Sequence, residues 1–367
     1  MNLSVAANTC LTGNSIDKSI YYLTLRIPQN SAENLSYEVG DWLTVQPENS
    51  SKMVSDILQE LALTGNETIE LRRAGLVTSK QALQKHLELT QLNPAILNKL
   101  QRQMGLGDWA DRQAMMDYAF GRDILDLLSL FPQLKELGLE FLAFLSPLAP
   151  RYYSIASAPV NTTTTEVSIL YKAVQYETNQ RIRYGVASSM LKNCKKGDVL
   201  KVELKSNPTF KLPKNSEVPI IMVGAGTGLA PFIGFMQSRE QSAQLGELPG
   251  EALLFFGETH QKTNCLFCDE FKGWQAQGLV DCYYAFSRDQ TEKIYVQQRI
   301  VEQAEKVWAL MNKGAHFYIC GSQTQLAESV KQTMLELFQT QGEISKEEAQ
   351  EFWLELKRNK RLQMDVY

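Results

Sequence analysis

The chain has 367 residues, 44% of them hydrophobic and 21% charged, with a formal net charge of -4. That length exceeds one ordinary domain and suits two or three, and the composition is that of a globular protein able to build a full core. The acidic balance argues against nucleic acid or an anionic membrane as the main partner, so any anionic ligand must be held by a local cluster of donors.

The opening stretch, MNLSVAANTCLTGN, has neither a basic region nor an apolar run and does not read as a signal peptide. A cytoplasmic enzyme is the expectation. Residues 1–78 read as short strands between turn signals, YYLTLRI (21–27) and WLTV (42–45) among them, with Ser50 capping a helix at MVSDILQELA (53–62). From 79 to 145 apolar residues recur three and four apart in TSKQALQKHLEL, NPAILNKLQRQM, DWADRQAMMDYAF, DILDLLSLF and PQLKELGLEFLAFL. This predicts a helical insertion with Pro94 and Pro132 in first turns. Its apolar end, LEFLAFLSPLA (139–149), is too short to span a bilayer and is broken by Pro147. Strand character returns at 151–174 and 199–204, so the insertion is expected to interrupt one antiparallel β-barrel.

After Pro213, PIIMV (219–223), EALLFFG (251–257), VDCYYAF (280–286) and AHFYICG (315–321) read as buried strands, each followed by a helical stretch. That alternation predicts a doubly wound parallel sheet, which takes ligands at the carboxyl ends of its strands. The linker KLPKNSEVP (211–219) sets the expected boundary between residues 1–213 and 214–367. No repeat or low-complexity tract stands out beyond the threonines at 162–165.

Gly224, Gly226 and Gly228 follow the first of these buried strands and open a helix, so Gly226 and Thr227 are candidate pyrophosphate contacts. The G-x-G-x-G spacing is not the standard dinucleotide fingerprint, and turns in kinases and methyltransferases use similar spellings. The third strand ends in FSRDQTEKIYVQ (286–297), which gathers Ser287, Arg288, Lys293, Tyr295 and Gln297. Such a run is often a solvated loop. At the end of a nucleotide-sheet strand, its two cations suit a 2′-phosphate and favour NADPH over NADH. The six cysteines form no dense even framework and predict thiols, not disulfides. Cys265 and Cys268 spell C-x-x-C without a second pair, predicting neither zinc nor dithiol chemistry. His86, His260 and His316 are scattered, and no metal site is expected.

Six motifs occur in order: R-x-Y-S at 151–154, GVASS at 185–189, GAGTGLAPF at 224–232, SRD…K-x-Y-V-Q at 287–297, CG at 320–321 and DVY at 365–367. Over essentially the whole chain this order resembles the FAD/NADPH module of the diflavin reductase family, closest to its sulfite reductase flavoprotein branch. The resemblance implies a ferredoxin reductase-like fold, an antiparallel FAD-binding barrel followed by an NADPH-binding α/β domain. It also implies a reductase that takes hydride from NADPH onto FAD. Single electrons would then pass to a separate flavodoxin-like FMN protein or to a sulfite reductase haemoprotein subunit. The alternative is an FAD-binding subunit with an assembly role and no NADPH turnover.

By the same resemblance Arg151, Tyr153 and Ser154 hold the flavin phosphate and ring. A diphosphate needs a cation and donors, a flat ring needs an aromatic platform, and strand alternation is expected to send these groups to one face. Ordinary cross-strand polar pairing is the competing reading of that strand. Gly185, Val186, Ala187, Ser188 and Ser189 would offer N–H groups to the diphosphate, and Tyr367 would cover the flavin. Ser154, Cys320, Asp365 and Tyr367 form the implied catalytic set. Ser322 stands where the family commonly has Asp, and Ala225 where Pro is common. Lys172 aligns loosely with a basic position of plant-type ferredoxin reductases. The chain starts directly at the connecting and FAD region, so it is expected without the family's FMN domain.

Overall fold

The computed structural model describes residues 1–13, 18–28, 35–160 and 164–367. Thr162 and Thr163 of the threonine tract lie outside the described residues. The chain forms two compact units, one of residues 1–44, 152–172 and 195–367, the other of 45–151 and 173–194. Its strands are β1 (Asn2–Cys10), β2 (Ser19–Arg26), β3 (Trp42–Val45), β4 (Thr68–Leu71), β5 (Gly75–Thr78), β6 (Arg151–Ser154), β7 (Glu166–Ala173), β8 (Gln175–Thr178), β9 (Arg181–Tyr184), β10 (Val199–Lys205), β11 (Ile220–Ala225), β12 (Ala252–Glu258), β13 (Asp281–Phe286), β14 (His316–Gly321) and β15 (Leu362–Val366).

In the first unit, six strands form a sheet in the order β6-β3-β10-β1-β2-β7. β1 runs antiparallel to both β2 and β10. Leu23 and Leu25 of β2 are buried while Thr24 between them is not, the period of a half-buried strand. Just past β6, Ile155 bridges antiparallel to Ile169 of β7, and the Ala156 N–H donates to the Ser168 carbonyl at 2.8 Å. These contacts bring the two edge strands together and close the expected barrel. No run was singled out for β1, because its polar residues Ser4, Asn8 and Thr9 dilute the apolar signal.

The same unit holds a five-stranded sheet in the order β13-β12-β11-β14-β15, parallel at every pair. Each of the four strands expected from the apolar runs is present. Burial on both faces explains their near-continuous hydrophobicity: Ile220 and Met222 pack into one core cluster, Ile221 and Val223 into the other. The fifth strand, LQMDV, was hidden by its polar residues.

The second unit contains the helical insertion. Ser50 caps the helix Ser51–Glu60, its hydroxyl accepting the Met53 N–H at 3.3 Å. Leu97, Leu100, Leu127, Leu128, Phe141 and Leu142 are fully buried in its core. PQLKELGLEFLAF (132–144) is wound as 3₁₀ turns and not as the expected regular helix, broken at Gly138 with φ 50°. Residues 173–194, with the hairpin β8–β9 and the helix Val186–Asn193, group here and not with the barrel strands. Among the described residues no helix is long and apolar enough to cross a membrane.

The hairpin is tied to the helix Ile124–Leu130 by two arginines. Arg183 pairs with Asp123 at 2.5 Å and Asp126 at 2.7 Å, and Arg181 pairs with the same residues at 3.1 and 2.5 Å. Burial pushes the Asp126 carboxyl up, but the Asp123 backbone N–H and the two guanidiniums outweigh it and hold it below its ordinary value. A lowered folded-state value gives stability that is present at neutral pH and lost as pH falls through that value. Amide protection factors in residues 175–184, taken relative to intrinsic exchange at each pH, are therefore expected to fall in acid before those of the parallel sheet. An equal fall in both would disprove this.

Candidate active site

Strand register assembles the centre of the site. Gly224 of β11 lies opposite Cys320 of β14, and Cys320 lies opposite Asp365 of β15, all at the carboxyl ends of parallel strands. Asp365 Oδ2 accepts the Ser154 hydroxyl at 2.5 Å, and Cys320 Sγ lies 4.0 Å from the same oxygen. The other carboxylate oxygen, Oδ1, accepts Trp42 Nε1–H at 3.0 Å. Both oxygens are thus occupied and the carboxylate plane is fixed. Burial first, and the neighbouring Asp365 charge second, push the Cys320 thiol well above its ordinary range. Cys320 is therefore a neutral S–H, only 1% exposed, and not a thiolate nucleophile.

Trp42 was not among the residues expected here. An aromatic on a short β-strand carries no sign of a remote carboxylate partner. Its neighbour in space is Tyr152, edge-on with ring centroids 5.7 Å apart.

The phosphate-loop residues Gly226–Leu229 form a 3₁₀ turn leading into the helix Ala230–Gln244. A Cβ on Gly228 would lie 2.0 Å from the Cys320 carbonyl oxygen, so the loop packs directly on β14. Gly226 has φ +57°, a left-handed conformation that glycine tolerates best. Close packing of loop on strand thus accounts for the G-x-G-x-G spelling. The Thr227 hydroxyl and the Tyr367 phenol share a hydrogen bond at 2.7 Å, and the Tyr367 N–H donates to the Gly321 carbonyl at 3.1 Å. Ser322 caps the following turn, its hydroxyl accepting the Gln325 N–H at 3.2 Å.

At the end of β13, the N–H groups of Ser287 and Arg288 donate to the carbonyls of Glu258 and Thr259 at 2.8 and 2.9 Å. Asp289 holds the next turn, accepting the Gln261 N–H at 2.7 Å and facing His260 Nδ1 at 2.9 Å. Arg288, Lys293 and Tyr295 are exposed and Gln297 half-buried, all on this segment. Glu258, buried beneath the loop, pairs with Lys18.

Tyr153 and Ser154 do not share a face, contrary to the one-face expectation. Successive strand residues alternate, so Ser154 turns to Asp365 while Tyr153 meets Tyr171 edge-on at 6.3 Å. In the helical unit, Arg151 pairs with Glu88 at 2.9 Å and donates to the Ala149 carbonyl at 2.7 Å. Gly185 caps the helix Val186–Asn193 without a side chain, leaving first-turn N–H groups available to an anion. The Ser188 hydroxyl is directed back, accepting the Val174 N–H at 3.0 Å. Lys172 is exposed at the end of β7.

Cys265 and Cys268 correct the expectation of free thiols: they are joined as a disulfide, with Cα atoms 5.6 Å apart. That separation lies inside the window a disulfide needs. The turn between them, set by tertiary packing, is invisible in cysteine spacing alone.

Residues 222–332 match the family described as the oxidoreductase NAD-binding domain. The chain is 36% identical over 372 residues to the "Sulfite reductase [NADPH] flavoprotein alpha-component" of Bacillus subtilis (strain 168), covering 99% of this chain and 60% of that protein. The protein of the same name from Serratia proteamaculans (strain 568) is 36% identical over 375 residues, with 100% of this chain and 61% of the relative covered. That from Baumannia cicadellinicola is 35% identical over 365 residues, covering 97% and 59%. With a nucleotide-type loop on a parallel sheet, the chain is similar over its whole length to the sulfite reductase [NADPH] flavoprotein alpha-components, and it spans about 60% of their length.

Proposed function

We propose that this chain is an FAD-dependent NADPH reductase that passes single electrons to a separate acceptor, a flavodoxin-like FMN protein or a sulfite reductase haemoprotein. Residues 1–213 would carry FAD and 214–367 NADPH. The observation that supports this best is the Ser154–Asp365–Cys320 constellation, whose Cys320 lies one strand from the glycine loop within residues 222–332, the stretch that matches an oxidoreductase NAD-binding domain.

The residues present fit both groups. Gly226 and Gly228 carry no side chain, and the loop leads into a helix N-terminus, as a pyrophosphate requires. Arg288 and Lys293 are exposed cations on the segment that would receive a 2′-phosphate. In one unit Tyr153 offers an aromatic face; in the other, Arg151 offers a cation and the first turn of Val186–Asn193 offers N–H donors of the kind a diphosphate takes. When bound, the flavin would supply the interchange between two-electron and one-electron chemistry. The chain's own residues orient the donor: Asp365 places a negative charge beside the site, fixed by Ser154 and Trp42. The neutral Cys320 side chain packs against it without competing for hydride. Tyr367, tethered to Thr227, would be the aromatic that nicotinamide displaces.

Anaerobic addition of NADPH to flavin-loaded protein is expected to bleach the flavin absorbance; a fully loaded sample that stays yellow would overturn the reading. Arg288→Ala is expected to raise KM for NADPH about 30-fold while barely moving that for NADH, since a charge-assisted hydrogen bond contributes about 2 kcal/mol. Equal effects on the two donors would show that Arg288 does not read the 2′-phosphate.

A further inference from the structure

The structure assigns a second redox site to this chain: we infer that Cys265–Cys268 is a reversible thiol–disulfide pair that tunes affinity for the phosphorylated nucleotide. The second clause rests on the NADPH reading above; the first does not.

Cys265 ends the turn Gln261–Asn264, and Cys268 is the first residue of the helix Cys268–Ala276. Both are half-buried, within reach of a small thiol, whereas Cys320 is sealed in the core. The two residues between them are anchored. Leu266 is 1% exposed, and Phe267 packs edge-on against Tyr22 with centroids 5.0 Å apart. Phe267 also has φ +53°, a left-handed conformation that non-glycine residues rarely adopt. A covalent link across this turn holds the conformation in place. Without it, the backbone is free to relax.

The turn is linked to the nucleotide segment by two hydrogen bonds. The Cys265 N–H donates to the Gln261 carbonyl at 3.3 Å, and the Gln261 N–H donates to Asp289 at 2.7 Å. Asp289 follows Arg288 directly. Opening the disulfide loosens Gln261 and with it the loop that carries Arg288, so nucleotide binding must then supply the ordering.

The chemistry balances with a small-molecule thiol as reductant. Its thiolate attacks one sulfur, breaking the S–S bond and releasing the other sulfur as a thiolate that takes a proton. A second thiol resolves the mixed disulfide, so two electrons reduce the protein pair while the thiol is oxidised to its own disulfide. The reverse exchange with that small disulfide restores the pair.

Flavin-loaded protein equilibrated in glutathione buffers, reduced or oxidised, and alkylated with iodoacetamide tests the site directly. Peptide mass spectrometry is expected to show Cys265 and Cys268 blocked in oxidised buffer, both labelled in reduced buffer, and the change reversed on exchange. Reduction is expected to raise KM for NADPH about fivefold, the scale of a modest coupling free energy, with kcat unchanged. Cys265→Ser with Cys268→Ser should hold the high value in both buffers. Calorimetric binding of 2′,5′-ADP reads the same effect without turnover. Equal labelling in both buffers, or redox-independent affinity in protein whose labelling does change, would overturn the inference. Failure of 2′,5′-ADP to bind in either state would instead defeat the NADPH reading, while labelling still decides the thiol site.

Discussion

Asp365→Ala is expected to lower kcat with NADPH about 100-fold, the cost of misplacing reacting groups by roughly an ångström, while flavin content stays unchanged. Asp365 is the hub that Ser154, Trp42 and Cys320 all meet, so its loss disorders three side chains at once. Asp365→Asn keeps an acceptor for Trp42 and should recover part of the rate. Trp42→Phe removes one of the two donors and should cost about tenfold in kcat, near the worth of one hydrogen bond to a charged group. KM should not move in that variant. Stopped-flow reduction of the flavin by NADPH measures the step, and a wild-type rate in Asp365→Ala would remove the carboxylate from the mechanism.

Gly228→Ala is expected to destabilise the protein by about 3 kcal/mol, the upper range for overpacking a core. The added Cβ would meet the Cys320 carbonyl oxygen at 2.0 Å and its carbon at 2.6 Å. Neither can yield, because β14 is paired on both sides, with β11 and β15. Gly226→Ala provides the contrast. Its nearest neighbour is Glu258 Oε1 at 3.6 Å, so its cost is conformational, about 1 kcal/mol for a left-handed residue. Denaturant unfolding separates the two, and similar losses would show that the loop does not press on β14.

The parallel sheet was legible because its strands are buried on both faces, which writes itself as unbroken apolar runs. The site was legible only where short motifs cluster: the glycine loop, the Ser-Arg run, the Cys-Gly pair. What escaped depended on partners far away in the chain. β15 looks polar because Gln363 and Asp365 are satisfied by groups from elsewhere, Gln363 by Lys211 and Asp365 by Trp42 and Ser154. Trp42 escaped for the same reason. Ser154 was grouped with Cys320 and Asp365, where its hydroxyl meets the carboxylate, but also with Tyr153 on one face, which parity along β6 does not allow. The cysteine pair was discounted on spacing, although its closure depends on the strained turn at Phe267.

Asp365 reaches the site from β15, the outermost strand of its sheet, with a neighbour on one side only. Edge segments are where native structures open most cheaply. On the NADPH reading, fraying there would withdraw the carboxylate and leave β11 and the glycine loop in register, giving a form that binds nucleotide but does not turn it over. Ligands or partners that clamp this margin would hold the carboxylate in place and sustain turnover without touching the reacting atoms.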